Sequence, residues 1–191
     1  MSVGQIGRSG PVDRPERARL LAGVSPFQDL GRSLVVLGQG VDGRLGVPVI
    51  GVMNFPATGE RWAGQAGTVT TRNGKPCHTR SETALPDAIM SASSPDFFVD
   101  ELEKRALHRF TAATAWRVYG GAAMSHGRLA SGRTDLALDA GLKIYDYAPF
   151  VPIIEGAGGV ITDWQGKGLH LRSGSRIVAA GSKALHAQAL T

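Results

Sequence analysis

Short β-branched runs cut by glycine and proline fill the first half of the chain, and stretches of helical period join them in the second. Residues 33–37 (Ser-Leu-Val-Val-Leu) read as a strand, and the extended, β-branched stretch 44–53 as its antiparallel partner. Residues 60–66 and 69–71, closed by the Asn73-Gly74 turn, continue them as a meander. A short strand at 88–91 is followed by a helix expected to open at Ser94-Pro95-Asp96 and run to about Phe110. Pro95 would lie in its first turn, with Leu102, Ala106 and Phe110 on one face. A strand at 116–119, a helix at 122–130 and a strand at 136–138 come next. Strands at 160–162 and 176–180 and a terminal helix from Ser182 complete the pattern. The class is α/β: an antiparallel meander first, then a mixed α/β unit. Trp62 reads as a core residue, and His126 as a surface or interface residue of its helix.

The stretch 139–164 organises the rest. Asp146 precedes an apolar run (Phe150, Val151, Ile153, Ile154) that closes on Gly156, Gly158 and Gly159 before the next strand. An aspartate at such a place caps a helix, its carboxylate accepting free first-turn amides beside the positive helix end. By spacing alone Asp146 is either only that cap or a carboxylate held at a cleft edge. Glu155 lies nine residues on, half a turn out of phase and roughly 13 Å along a helix axis, so the two cannot share an ion. Asp139, seven residues before Asp146 and across a turn at Gly141, can approach the same cleft. Pro149 and Pro152 interrupt the helix and are expected to kink it.

Composition narrows the function classes. A chain of 191 residues with 42% hydrophobic and 19% charged residues buries a real core, as one large domain or two small ones. The net charge of +5 is spread among acids, without Lys/Arg blocks or interleaved aromatics, which argues against nucleic acid. It suits a small anionic substrate. Cys77 is the single cysteine, which excludes an internal disulfide framework and fits a reducing compartment. No apolar run nears the ~20 residues a membrane helix needs. The first 24 residues carry Arg8, Arg14, Arg17 and Arg19 without a signal-peptide core. A cytoplasmic protein without membrane partners is the expectation. Gly38 to Gly43 spells G-x-G-x-x-G, yet a β-branched segment follows where a dinucleotide site needs a helix, so the match is accidental.

Tyr145-Asp146-Tyr147-Ala148, with Glu155-Gly156-Ala157-Gly158-Gly159 beyond it, resembles the C-terminal signature of the inositol monophosphatase superfamily. Val151-Pro152 before the glutamate is most similar to the histidinol-phosphate phosphatase branch. The resemblance extends through G-V-M-N-F-P from Gly51, G-E-R-W-A-G from Gly59, R-V-Y-G-G-A-A from Arg117 and L-A-S-G-R-T-D from Leu129. It covers the chain from about Ser25 onward. It implies a layered α+β sandwich without its N-terminal helices and a Mg2+-dependent, lithium-sensitive phosphomonoesterase acting on a small phosphorylated metabolite. It also implies a homodimer. Asp146 matches a metal ligand and catalytic residue of the family. Gly120, Gly121 and Ala122 match a turn around the substrate, where small residues let a phosphate or hydroxyl approach, or simply permit tight strand–helix packing.

Other positions depart from the family pattern. Gly10-Pro11-Val12-Asp13 stands where the family has Asp-Pro-(Ile/Leu/Val)-Asp-Gly-Thr. Asp13 keeps the second aspartate and is the other catalytic and metal-ligand candidate. By its residues alone it is a loop aspartate. Gly10 replaces the first carboxylate, Arg14-Pro15 replaces Gly-Thr, and the acidic helix that supplies an upstream glutamate is absent. Asp139 takes the place of a substrate-contacting glutamate, one methylene shorter. Ala122 stands where histidinol-phosphate phosphatases commonly carry aspartate. The N-terminal metal motif is expected to be truncated or degenerate, and the expected division is a degenerate or disordered segment at 1–24, the remainder of an antiparallel-sheet domain at 25–85, and an α/β domain at 86–191. The activity expected is that of an impaired phosphomonoesterase of the histidinol phosphate or inositol phosphate type. The alternative is a non-catalytic homologue that dimerises or binds a phosphate ligand.

Overall fold

A computed structural model describes residues 19–24, 32–39 and 45–191 of the chain. Strands β1 (Arg19–Val24), β2 (Arg32–Gln39), β3 (Leu45–Phe55), β4 (Glu60–Gln65), β5 (Thr71–Arg72) and β6 (Lys75–Pro76) form one antiparallel sheet in chain order. The expected meander is therefore present, and β1 extends it. The segment 1–24, read as poorly structured, holds the edge strand Arg19–Val24, which pairs with β2 from Arg19↔Leu37 to Val24↔Arg32. A ladder available only once β2 is in place outweighs the weak local signal of that arginine-rich stretch. Between β2 and β3 the register shifts at Val36/Leu37, opposite Pro48, which has no amide to donate. Asn73 and Gly74 join β5 to β6 with φ of 50° and 77°, as a tight hairpin turn requires.

The second sheet has the order β10-β11-β9-β7-β8. Its strands are β7 (Ile89–Ala92), β8 (Trp116–Tyr119), β9 (Leu136–Asp139), β10 (Val160–Asp163) and β11 (Ile177–Ala180). β7 runs parallel to both β8 and β9, and the remaining pairs are antiparallel. Helix α1 (Glu101–Ala113) links β7 to β8, α2 (Ala123–Ala130) links β8 to β9, and α3 (Ile144–Tyr147) with α4 (Phe150–Gly156) links β9 to β10. Helix α5 (Lys183–Leu190) follows β11, its first turn capped by Ser182 Oγ.

Two apolar layers hold these elements. Met53, Phe55 and Trp62 of the first sheet meet Leu129 of α2, Ile153 and Ile154 of α4, and Ile161 and Ala179 of the second sheet. Trp62 is 1% exposed, as its core assignment requires, and stacks edge-on with Phe55. Each such side chain contributes roughly 1.5–3 kcal/mol by leaving water. On the far face of the second sheet, Phe110 of α1 and Leu185 and Ala189 of α5 cover Leu136, Leu138 and Val178. The layers are thus sheet, α2 with α4, sheet, then α1 with α5. No described helix is long and apolar enough to cross a membrane.

Two helix starts differ from the sequence reading. Pro95–Phe97 forms only a 3-10 turn capped by Ser94, and α1 begins after Asp100. There Asp100 Oδ1 accepts the Glu103 N–H (2.8 Å) while Glu103 Oε2 accepts the Asp100 N–H, a reciprocal capping box stronger than the Ser94 cap. Arg176 bonds to both carboxylates. Leu102 consequently lies 48% exposed, while Phe110 alone of the three expected face residues is fully buried. The helix from Asp146 breaks at Ala148-Pro149 into α3 and α4, as its prolines predict.

Candidate active site

α1 packs on one face of the second sheet and α2 on the other, while β7 and the strands they lead to run parallel. Loops leaving the carboxyl ends of such strands part to opposite sides and open a crevice, the usual seat of a ligand in α/β sheets. Here these ends carry Ser93 after β7, Gly120 to Ala122 after β8, and Asp139 closing β9. They are tied together: the Gly120 N–H donates to the Ser93 carbonyl (3.0 Å), and the Ser93 N–H donates to Asp139 Oδ1 (2.7 Å). Gly120 has φ 86°, and Ala122 adopts φ 42°, ψ −130° as the residue before α2. A side chain in that region costs on the order of 1–3 kcal/mol, and such strain gathers at ligand sites.

Asp146 is half-buried in the third position of α3 rather than ahead of the helix. The cap is Lys143, whose N–H donates to Asp146 Oδ2 (2.8 Å). Asp146 thus does not cap first-turn amides as expected but reaches back to the amide of the cap residue, half of a capping box. Burial pushes the Asp146 carboxyl upward, opposed by that amide and by the Lys143 ammonium. Asp139 is 0% exposed. Burial, with the charge of Asp146 adding to it, raises its carboxyl to about 7 against the Ser93 bonds. One of its oxygens is held by Ser93, and the other faces His126 Nε2, 3.7 Å away.

His126 also departs from expectation. It is 0% exposed, stacked on Phe150 at 3.9 Å between centroids. Burial lowers it to about 4 against the nearby Ala122 carbonyl. With Asp139 driven toward its neutral form, this contact is not an ion pair. Spacing carried the clue, since His126, Leu129 and Ala130 fall at i, i+3 and i+4 on the buried stripe of α2. The Ser93 N–H bond to Asp139 is a backbone contact that left no signal in the sequence.

Among the described residues no group of three or more His, Cys, Asp or Glu is placed to hold a metal ion. Asp146 offers a partly open carboxylate after β9, and Asp13, Gly10, Arg14 and Pro15 lie outside the described residues. Mg2+ takes a near-octahedral oxygen shell, to which Asp146 would contribute one carboxylate. Two cavities lie elsewhere: one of about 240 Å³ beside Trp62, Arg72 and Arg128, and a groove of about 300 Å³ between α1 and α5. Neither is lined by Ser93, Gly120 to Ala122, Asp139 or Asp146.

The sequence profile of the inositol monophosphatase family matches residues 42–191. The chain belongs to the inositol monophosphatase family. It is 40% identical over 152 residues to the chloroplastic bifunctional phosphatase IMPL2 of Arabidopsis thaliana, covering 76% of this chain and 44% of that one. It is 26% identical over 122 residues to a histidinol-phosphatase of Chlorobaculum parvum, covering 64% of this chain and 47% of that one. A solved inositol monophosphatase from Zymomonas mobilis superposes with a TM-score of 0.78 at 36% identity, covering 84% of this chain and 60% of that one. The chain spans about half the length of the curated relatives it matches. As an inositol monophosphatase family member it has the layered α/β fold that the resemblance implied.

Proposed function

We propose that this chain is an impaired metal-dependent phosphomonoesterase for a small metabolite, of the histidinol phosphate or inositol phosphate type. The observation that carries the reading is the meeting of Asp146, Asp139 and the Gly120–Ala122 turn at the strand ends of a family fold. In this reading the turn receives the phosphate ester, and Asp146, with Asp13, is the protein's contribution to Mg2+ binding. Bound Mg2+ would supply charge neutralisation and an activated water. Impairment follows from the donor set. Gly10 offers no carboxylate, Arg14-Pro15 replaces the loop-forming Gly-Thr, and the described residues hold no metal-ligand cluster. Asp139 serves this site through Ser93 rather than by touching substrate. A cytoplasmic homodimer completes the reading, supported by the single free Cys77 and by the edge strand β8, which exposes Trp116 (68%), Val118 and Tyr119.

The test is phosphate release from histidinol phosphate and inositol 1-phosphate by the purified chain with Mg2+. We expect slow, metal-dependent turnover that Asp146→Asn removes. Turnover near ~1 s⁻¹, within the ordinary enzyme range, would overturn the impairment. Binding of either ester without any turnover would establish the second reading, a non-catalytic homologue that binds a phosphate ligand.

A further inference from the structure

We propose that His126 is a positioning residue: it shares one proton with Asp139 and so closes a ring of contacts that sets the loops around the cleft. The proposal rests on the reading of the strand ends as a phosphate-ester site, and adds a residue that the family pattern in this chain did not point to. Three buried polar atoms have no partner, both ring nitrogens of His126 and Asp139 Oδ2, and of these Nε2 and Oδ2 face each other. An unmade hydrogen bond in a dry interior is costly, so such atoms are normally satisfied. A gap of 3.7 Å between Nε2 and Oδ2 is too narrow to seat a water and too wide for a finished bond. A small ring or carboxyl rotation closes it directly. The shared proton either sits on Nε2 and is donated to the carboxylate, or sits on Oδ2 and is donated to Nε2. Phe150 lies nearly parallel to the imidazole, at 16°, and leaves its edge aimed at Asp139.

That bond completes a circuit through four elements. From His126 it passes to Asp139 Oδ2, from Asp139 Oδ1 to the Ser93 N–H, and from the Ser93 carbonyl to the Gly120 N–H. The chain then runs through Gly121 and the strained Ala122 into α2, and returns to His126 within the helix. The strained Ala122 backbone persists only if its surroundings over-determine it, and the ring supplies that constraint. The carboxylate at position 139 is thereby spent inside the protein. It acts on the cleft by fixing Ser93 and the Gly120 turn.

The test uses the full chain labelled with ¹⁵N, and two variants. His126→Gln keeps a donor near the Nε2 position, while His126→Phe keeps the stacking ring and removes both nitrogens. In the parent chain the His126 nitrogens should report a neutral imidazole with one hydrogen-bonded nitrogen facing Asp139. His126→Phe should raise hydrogen exchange of the Ser93 and Gly120 amides by about tenfold or more, and His126→Gln should restore their protection. Unchanged exchange in His126→Phe would overturn the proposal. If that variant fails to fold, the parent's imidazole decides, and two nitrogens without hydrogen bonds would overturn it. Titration with inorganic phosphate, read at the Gly120 to Ala122 amides, separates the two ideas. Failure of the parent chain to bind phosphate would sink the reading of the cleft, while the exchange result still judges the ring.

Discussion

The carbonyl oxygen of Pro149 rests on the face of Gly51, so close that a Cβ there would come within 2.2 Å of it. Gly64 does the same beneath the Pro152 carbonyl, at 2.5 Å. The broken start of α4 therefore lies flat on β3 and β4. That contact fixes the height of the Asp146 turn, because α3 leads directly into α4.

Gly51→Ala should lower stability by about 2 kcal/mol or more, since backbone rather than a flexible side chain blocks the methyl group. Gly168→Ala, with nothing within 4 Å of its Cβ position, should stay within about 0.5 kcal/mol of the parent. Denaturant unfolding of the two variants checks the contrast. Equal effects would refute the close seat of α4.

Ala122→Gly should stabilise the chain by roughly 1 kcal/mol, because it releases strain at φ 42° that exceeds the entropy glycine adds to the unfolded state. Ala122→Val should destabilise it, since a β-branched residue tolerates that backbone least. Thermal melts of both variants are the check, with the opposite signs as the outcome to look for.

Asp146→Asn should weaken Mg2+ or Mn2+ binding and leave the fold intact. An amide oxygen still accepts the Lys143 N–H while the charge is gone. Asp163→Asn should change nothing in the same titration, because Asp163 Oδ1 serves only the turn amides of Gln165 and Lys167. Calorimetry giving equal losses for the two variants would remove Asp146 from the metal role.

Stability should be nearly flat between about pH 4.5 and 6 as far as His126 and Asp139 are concerned. In that window the unfolded chain carries one proton on the histidine, and the folded chain carries one on the aspartate, so the counts match. Each variant should unmask one slope, of up to about 1.4 kcal/mol per pH unit. In Asp139→Asn the lowered His126 remains, and stability should fall as pH drops from 6.5 toward 4. In His126→Gln the raised Asp139 remains, and stability should fall as pH rises toward 7, with the nearby Asp146 charge acting in the same direction. Melting temperatures across this range measure both. Parallel profiles in parent and variants would show that the two groups do not titrate as drawn.

Much of the architecture was legible because its causes are local. Strand runs, the Asn73-Gly74 turn, the Pro149 break and the Ser182 cap follow from backbone preferences and from turn and capping chemistry that act over a few residues. The same locality made the Tyr145-Asp146-Tyr147-Ala148 signature recognisable and put Asp146 at a helix start. The strand character of Arg19–Val24 was not legible, since it depends on a ladder to β2. Nor was the late start of α1, where two capping signals compete and the Asp100–Glu103 box, anchored by Arg176 from far along the chain, prevails.

The sequence by itself determined which residues are charged, small or apolar at the strand ends, and so which chemistry can be present there. Only the tertiary structure decided what faces what. His126 became a core residue because Phe150 of α4 closes over its ring, and Asp139 turned inward because the Ser93 amide, 46 residues away, captures one of its oxygens. The reason is physical: the state of an ionisable side chain is set by the partners and solvent that packing leaves it, and those come from segments that meet only after folding.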